Sequence, residues 1–204
     1  MLKKKWKKIA LAIAVIIALI GAAAIFLLSS SGWDRYTKND NYVIVEGYKT
    51  VIEDGKKEGL DDDQIWTKVV SYAEIVKYPQ KELEELEQKN RKNYEELAKA
   101  SGYSDLESYL KEGMSITLDE FNENSTLFCK NEIAEKLVLY RIAHLEGITV
   151  EDTEYNMYLD DLMKLNGFTD ESFQEAYGCT FREYADSNGM RDAYLLDLVK
   201  STII

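Results

Sequence analysis

Residues 137–154 read Leu137-Val-Leu-Tyr-Arg-Ile-Ala-His-Leu-Glu-Gly-Ile-Thr-Val-Glu-Asp-Thr-Glu154. The apolar residues at the start of this stretch continue a helical pattern that begins near Thr117. A helix over 117–147 follows, with a second over 150–166 entered through Thr149 and an acid three residues on, Asp152. Serine or threonine three residues before glutamate also occurs at Ser104 with Glu107, Thr117 with Glu120, and Thr180 with Glu183. Each is the pattern of a helix N-terminus whose two side chains satisfy exposed backbone donors. Gly102-Tyr103-Ser104-Asp105 and Gly167-Phe168-Thr169-Asp170 repeat one device: a glycine that stops a helix, an aromatic, and a cap for the next. Phe168 and Phe173 have the spacing of a hydrophobic staple.

Outward from there, the spacing predicts helices over 42–57, 61–76, 79–101, 104–112, 170–177 and 180–201. Asp61 with Gln64 caps the second of these, and Gly59 stops the first. Pro79 stands in the first turn of the third, where proline is tolerated. It is the only proline, and glycine numbers 11 in 204 residues, a composition of long helices rather than of many-turned sheets. Val43-Ile44-Val45 is the one place where a short strand fits. The fold class is therefore all-α.

Residues 9–28 carry no charge, and a helix of that length spans about 30 Å, the thickness of a bilayer core. Lys3, Lys4, Lys5, Lys7 and Lys8 precede it, which places the N-terminus in the cytoplasm and the rest outside. The organisation expected is a basic stub over 1–8, a transmembrane signal-anchor over 9–28, a stalk over 29–41 and a helical domain over 42–204. Trp6 and the Trp33-Asp-Arg-Tyr36 stretch suit the two membrane interfaces. The competing reading is a cleaved signal peptide with Ala22-Ala23-Ala24 or Ser29-Ser30-Ser31 as its small-residue site, leaving a secreted body. Of 25 basic residues, 20 lie beyond the stub and face 37 acidic ones, a formal charge of −17. Such a body repels nucleic acid, so none is expected as a partner.

The sequence is poor in catalytic chemistry. It holds one histidine, His144, on a helix, so nucleophile–histidine catalysis has little to draw on. The His/Cys cluster of a zinc site is missing, as are GxGxxG and GxxxxGK[ST], so no metal and no cofactor is expected. Acid pairs such as Glu84-Glu85 and Asp160-Asp161 point about 100° apart on a helix and do not converge. Asp61-Asp62-Asp63 lacks the alternation and glycine of a calcium loop. Cys129 and Cys179 read either as a disulfide, in an oxidising compartment, or as two small apolar helix residues.

The positive feature is aromatic. Tyrosine numbers 14, and Met114, Met157, Met163 and Met190 accompany it. A tyrosine ring can meet an apolar partner while its hydroxyl stays wet, and methionine repacks against varied shapes. Helices too thinly apolar to bury every ring would leave a hollow for foreign polypeptide. Candidate polypeptide-binding residues are Tyr94, Leu97, Tyr109, Tyr140, Tyr155, Tyr158, Met163, Phe173 and Tyr177. The competing reading makes each a core residue of a thin helical body.

Ile65-Trp-Thr-Lys-Val-Val-Ser-Tyr-Ala-Glu-Ile-Val-Lys-Tyr-Pro-Gln-Lys-Glu-Leu83 resembles the E-x-x-x-Y-P-x-x-x-L step of the trigger factor family, where one helix ends and a long arm helix begins. Tyr94-Glu-Glu-Leu-Ala and Leu106-Glu-Ser-Tyr-Leu110 are similar to the arm that follows, and Thr117-Leu-Asp-Glu-Phe121 to the next helix start. The stretch 137–154 resembles the family's L-x-L-x-x-I-A-x-x-E-x-I-x-V-x-D-x-E run, and Phe173-Gln-Glu-Ala-Tyr-Gly178 its near-terminal F-x-x-x-Y-G. The likeness covers roughly 64–200 and is to the family's substrate-cradling C-terminal domain, related in architecture to SurA and PrsA. It implies an extended, arm-bearing chaperone-like domain that holds unfolded or secreted polypeptides without ATP. The family's ribosome-docking loop and prolyl isomerase domain have no counterpart here, so neither ribosome docking nor isomerase activity is implied. A non-catalytic adaptor that binds one dedicated envelope partner through the same arms is the second reading.

Overall fold

The computed structural model describes residues 32–204. The stub over 1–8 and the expected membrane span over 9–28 lie outside the described residues. Among those described, no helix is long and apolar enough to cross a membrane. The described chain is mainly helical and forms two compact units, Trp33–Gly147 with Val199–Ile204, and Ile148–Leu198.

In the first unit the elements are α1 (Asp34–Thr37), β1 (Val43–Ile44), α2 (Tyr48–Glu58), α3 (Asp62–Tyr72), β2 (Glu74–Ile75), α4 (Gln80–Ala100), α5 (Leu106–Ser108) and α6 (Leu118–Glu146). A π-helical turn, Tyr109–Met114, continues α5. The spine is α6, capped by Thr117 and Glu120 in the reciprocal arrangement expected and closed by Gly147 at φ 68°. Its first half buries one face, through Phe121, Ser125 and Cys129. From Lys136 to Tyr140 every residue is buried, because α1, β1, α3 and α4 all pack on this helix. Leucine, isoleucine and valine buried this fully contribute about 1.5–3 kcal/mol each relative to exposure.

The α2–α3 hairpin is drawn close by Gly55, whose added Cβ would lie 2.8 Å from Ile65 Cγ1. Glycine costs a helix interior about 0.5–1 kcal/mol, and close packing of the pair offsets that. Asp61 and Gln64 form the expected capping box at the start of α3. The expected helix over 42–57 begins only at Tyr48, because Val43 and Ile44 pair antiparallel with Ile75 and Glu74. The helix expected over 61–76 correspondingly stops at Tyr72, where Ala73 turns extended.

The stretch 33–41 is a packed element and not the stalk expected. Trp33 is 1% exposed, and its ring stacks on Tyr140 at 6.1 Å with Lys136 Nζ 5.6 Å from its centre. Thr37 is buried and donates to Trp33 O, Arg35 pairs with the buried Glu82 on α4, and Arg141 bonds both Thr37 O and Asp40. Trp33 is thereby part of the core and not an interfacial belt residue.

Glu132, on α6, titrates unusually. Burial, reinforced by the charge of Glu135 and opposed by Lys136, raises its carboxyl to about 7 from an ordinary 4.5. The folded chain therefore holds this proton more tightly than the unfolded chain does. The stabilisation is full below the ordinary value and is lost as pH rises through about 7. Glu132→Gln is expected to leave thermal stability unchanged near pH 4. At pH 8 it should raise stability by about 1–2 kcal/mol, a figure reduced for the solvent around a partly exposed group. Paired melts at the two pH values check this, and an equal shift at both would contradict it.

The second unit holds α7 (Asp152–Leu165), α8 (Asp170–Tyr177), α9 (Phe181–Ser187) and the greater part of α10 (Met190–Ile203). Thr180 with Glu183 caps α9 as expected, and Thr169 with Ser172 caps α8. Of two further expected caps, one is replaced and one is absent. Asp105, not Ser104, accepts from Ser108 N, since a carboxylate directly before the helix outcompetes the hydroxyl behind it. Glu151 stands at the start of α7, and Thr149 turns its hydroxyl to the Glu151 carboxylate instead of the backbone. One helix expected over 180–201 is two, broken where Gly189 takes φ 59° after Asn188. Both cysteines are free; Cys129 is buried and Cys179 partly so.

Candidate polypeptide-binding surfaces

Four of the nine candidate residues belong to the first unit. Tyr94 is half-buried, edge-on to Phe121 at 5.0 Å, within a cluster built on Leu106, Leu110 and Phe121. Tyr109, from the π-helical turn, meets the Tyr103 ring at 5.3 Å, and Leu97 is half-buried on α4. Tyr140 is sealed beneath Trp33. A groove of about 330 Å³ between α4 and α6 is lined by Glu84, Glu87, Arg91, Phe121, Asn122 and Ser125 among others. Arg91 donates to Asn122 at 2.6 Å and Thr126 to Glu87 at 2.7 Å, so four of its polar groups are already matched to one another. An apolar client gains little there.

The other five lie in the second unit, and the structure separates them by exposure. Tyr155, 1% exposed, and Leu159 pack with Ala185, bordered by Tyr158, Phe181, Met190 and Tyr194. Burial, reinforced by the charge of Asp186, pushes the Tyr155 hydroxyl up to about 12, so it stays protonated under ordinary conditions. Arg191 lies over the same ring at 5.1 Å and donates to Val150 O and Asp152. Tyr158 and Met163 are half-buried.

Phe173 is the hub of a second set of rings. Phe168 meets it edge-on at 5.4 Å, as the staple spacing predicts, with Phe181 at 5.1 Å and Tyr184 at 5.5 Å. Tyr177 stacks on it at 4.4 Å and stays 47% exposed. A ring fixed from below by Phe173 and flanked by Phe168 and Tyr184, both near 6.0 Å, presents a rigid apolar face at small entropic cost.

No family model, curated protein or solved structure matches the chain.

The second unit exposes Met157 at 62% and Leu165 at 84%, neither of them among the candidates read from sequence. Both were legible in principle. Tyr155, Leu159 and Leu162 mark the inward face of α7, and Met157 sits about 200° round the helix from Leu159. Residues 157, 161 and 165 then form one outward row, with Asp161 exposed between the two apolar members. The tyrosine platform, and separately the outward Met157 and Leu165 of α7, are apolar surface left open to solvent. His144 is exposed, and no group of three or more His, Cys, Asp or Glu side chains fit for a metal occurs among the described residues.

Proposed function

We propose that this chain is a membrane-anchored, extracytoplasmic chaperone-like protein that holds unfolded or secreted polypeptides without ATP. The observation that carries the reading is Tyr177: a half-exposed ring stacked on the buried Phe173 within a cluster of aromatic side chains. Exposed Met157 and Leu165 supplement it. The resemblance of 64–200 to the trigger factor substrate-cradling domain supports it from sequence. The body's formal −17 charge favours solubility while apolar segments are held. The reading includes a membrane anchor over 9–28 and neither isomerase activity nor ribosome docking.

A second reading, an adaptor for one envelope partner, is favoured by the sealing of Tyr140, Tyr155 and Phe173 in the core. Fewer outward rings suit one shaped partner better than many clients. Pull-down of the full chain from membranes separates the two: one stoichiometric partner marks the adaptor, a spread of secreted proteins the chaperone.

The full chain in lipid nanodiscs, at several-fold excess over an aggregating unfolded protein, is expected to suppress light scattering where empty nanodiscs do not. Tyr177→Ser combined with Leu165→Ser should lose half or more of that suppression with little change in melting temperature. Scattering that matches the empty discs would contradict the chaperone reading.

A further inference from the structure

A cation–aromatic patch sits where the described chain begins. The Arg35 guanidinium lies 4.6 Å from the centre of the Tyr36 ring. Tyr36 meets Tyr42 edge-on at 4.9 Å, and Lys77 Nζ lies 4.3 Å from the centre of Tyr42. Val76 N donates to Tyr42 O at 2.9 Å, and Val76 is itself 46% exposed. Two tyrosines, the Lys77 ammonium, the Glu82-paired Arg35 and a bare valine thus gather on α1 and on the residues flanking the β1–β2 pair. Rings with a polar tip beside basic groups are the side chains that settle at a lipid headgroup layer.

The length of chain before this patch says what it meets. The apolar run ends at Leu28, and Trp33 is already locked in the core. Residues 29–32 can span no more than about 17 Å when fully extended. The headgroup layer is itself some 5–8 Å deep. Trp33, Thr37, the Arg35–Glu82 pair and the Arg141 bonds to Thr37 O and Asp40 leave the entry no slack. This unit therefore has to sit against the surface it emerges from. A body of formal charge −17 is repelled by anionic lipid on most of its faces; with Arg35 paired to Glu82, this patch turns inward two tyrosine rings and the Lys77 ammonium over one of them.

We propose that Tyr36, Tyr42, Val76 and Lys77, with Arg35, rest in the headgroup layer of the bilayer and fix the first unit against it. The proposal rests on the anchor reading of residues 9–28. Its test separates the two. Val76→Cys, in a Cys179→Ser background with Cys129 left buried, carries an environment-sensitive fluorophore on the full chain in nanodiscs containing anionic lipid. Flotation with lipid first reports whether the anchor holds. Lipids bearing a spin label at headgroup depth are then expected to quench the probe at least twofold, while aqueous iodide quenches it weakly. Lys77→Glu should reverse both effects. A chain that fails to float overturns the anchor and the docking together. A floating chain whose probe ignores the lipid quencher and answers to iodide overturns the docking alone. A probe shielded from both quenchers overturns it in favour of a protein partner at this patch.

Discussion

Trp33→Ala is expected to destabilise the first unit by about 3–5 kcal/mol, the range for deleting a fully buried aromatic side chain. Trp33 is 1% exposed, stacked on Tyr140 and edge-on to Tyr36 at 5.7 Å. Its loss opens a cavity against the most completely buried stretch of α6 and removes the Lys136 ammonium's aromatic neighbour. It also frees α1, whose Arg35 neutralises the buried Glu82 carboxylate. A unit of this size should lose roughly 10–20 °C of melting temperature. Trp33→Phe keeps a ring in place and should lose less than half as much. Calorimetry on the full chain checks both; a shift under 2 °C for Trp33→Ala would mean that the stretch behaves as a stalk.

Phe173→Ala is the second large effect, and its signature is local. Phe173 is 5% exposed and touches Phe168, Tyr177, Phe181 and Tyr184. The expected loss is again about 3–5 kcal/mol. A unit as short as Ile148–Leu198 has a total stability of the same order, roughly 0.05–0.15 kcal/mol per residue. The substitution should therefore unfold the second unit, α7 with α8 and α9, and leave α6 intact. Hydrogen exchange is expected to lose protection over 152–187 with little change over 118–146. Client binding should fall too, because the Tyr177 platform collapses, whereas Tyr177→Ser should weaken binding and leave exchange nearly untouched. Uniform loss of protection across both segments would show that the two units unfold as one.

What the sequence made legible was local chemistry. Asp61, Thr117 and Thr180 each cap through a partner three residues away, and that geometry needs no tertiary context. The Phe168–Phe173 staple is of the same kind. Where a neighbouring carboxylate intervened, the spacing misled: Asp105 accepts from the α5 backbone in place of Ser104, and Thr149 donates its hydroxyl to a carboxylate two residues on, which leaves α7 without a side-chain cap. The β2 strand was not legible because two residues pair only when β1, some thirty positions earlier, lies alongside. Trp33 was misread for a like reason: a tryptophan following an apolar run suits an interface until Tyr140 is known to cover it.

The candidate surface follows the same division. Tyrosine content suggests apolar-segment binding as an expectation but does not say which rings turn outward. Tyr155 is closed in by residues 185 and 190, and Tyr140 by Trp33, contacts made across tens or a hundred positions. Tyr177 stays half-exposed because α8 ends at Gly178 and the chain turns into α9 beside it. Leu165 lies at the very end of α7, where the inward stripe no longer decides its surroundings.

Site-specific photo-crosslinking asks most directly whether the Tyr177 platform receives foreign chain. A benzophenone side chain would replace Tyr177 in the full chain in nanodiscs, and the exposed Lys57 of α2 in a second sample. Each is irradiated with a reduced, carboxymethylated polypeptide that cannot fold. At least fivefold more adduct from position 177, competed away by unlabelled unfolded chain and not by the same protein folded, is the predicted result. Equal yields from the two positions, or adducts that folded protein competes equally well, would contradict it.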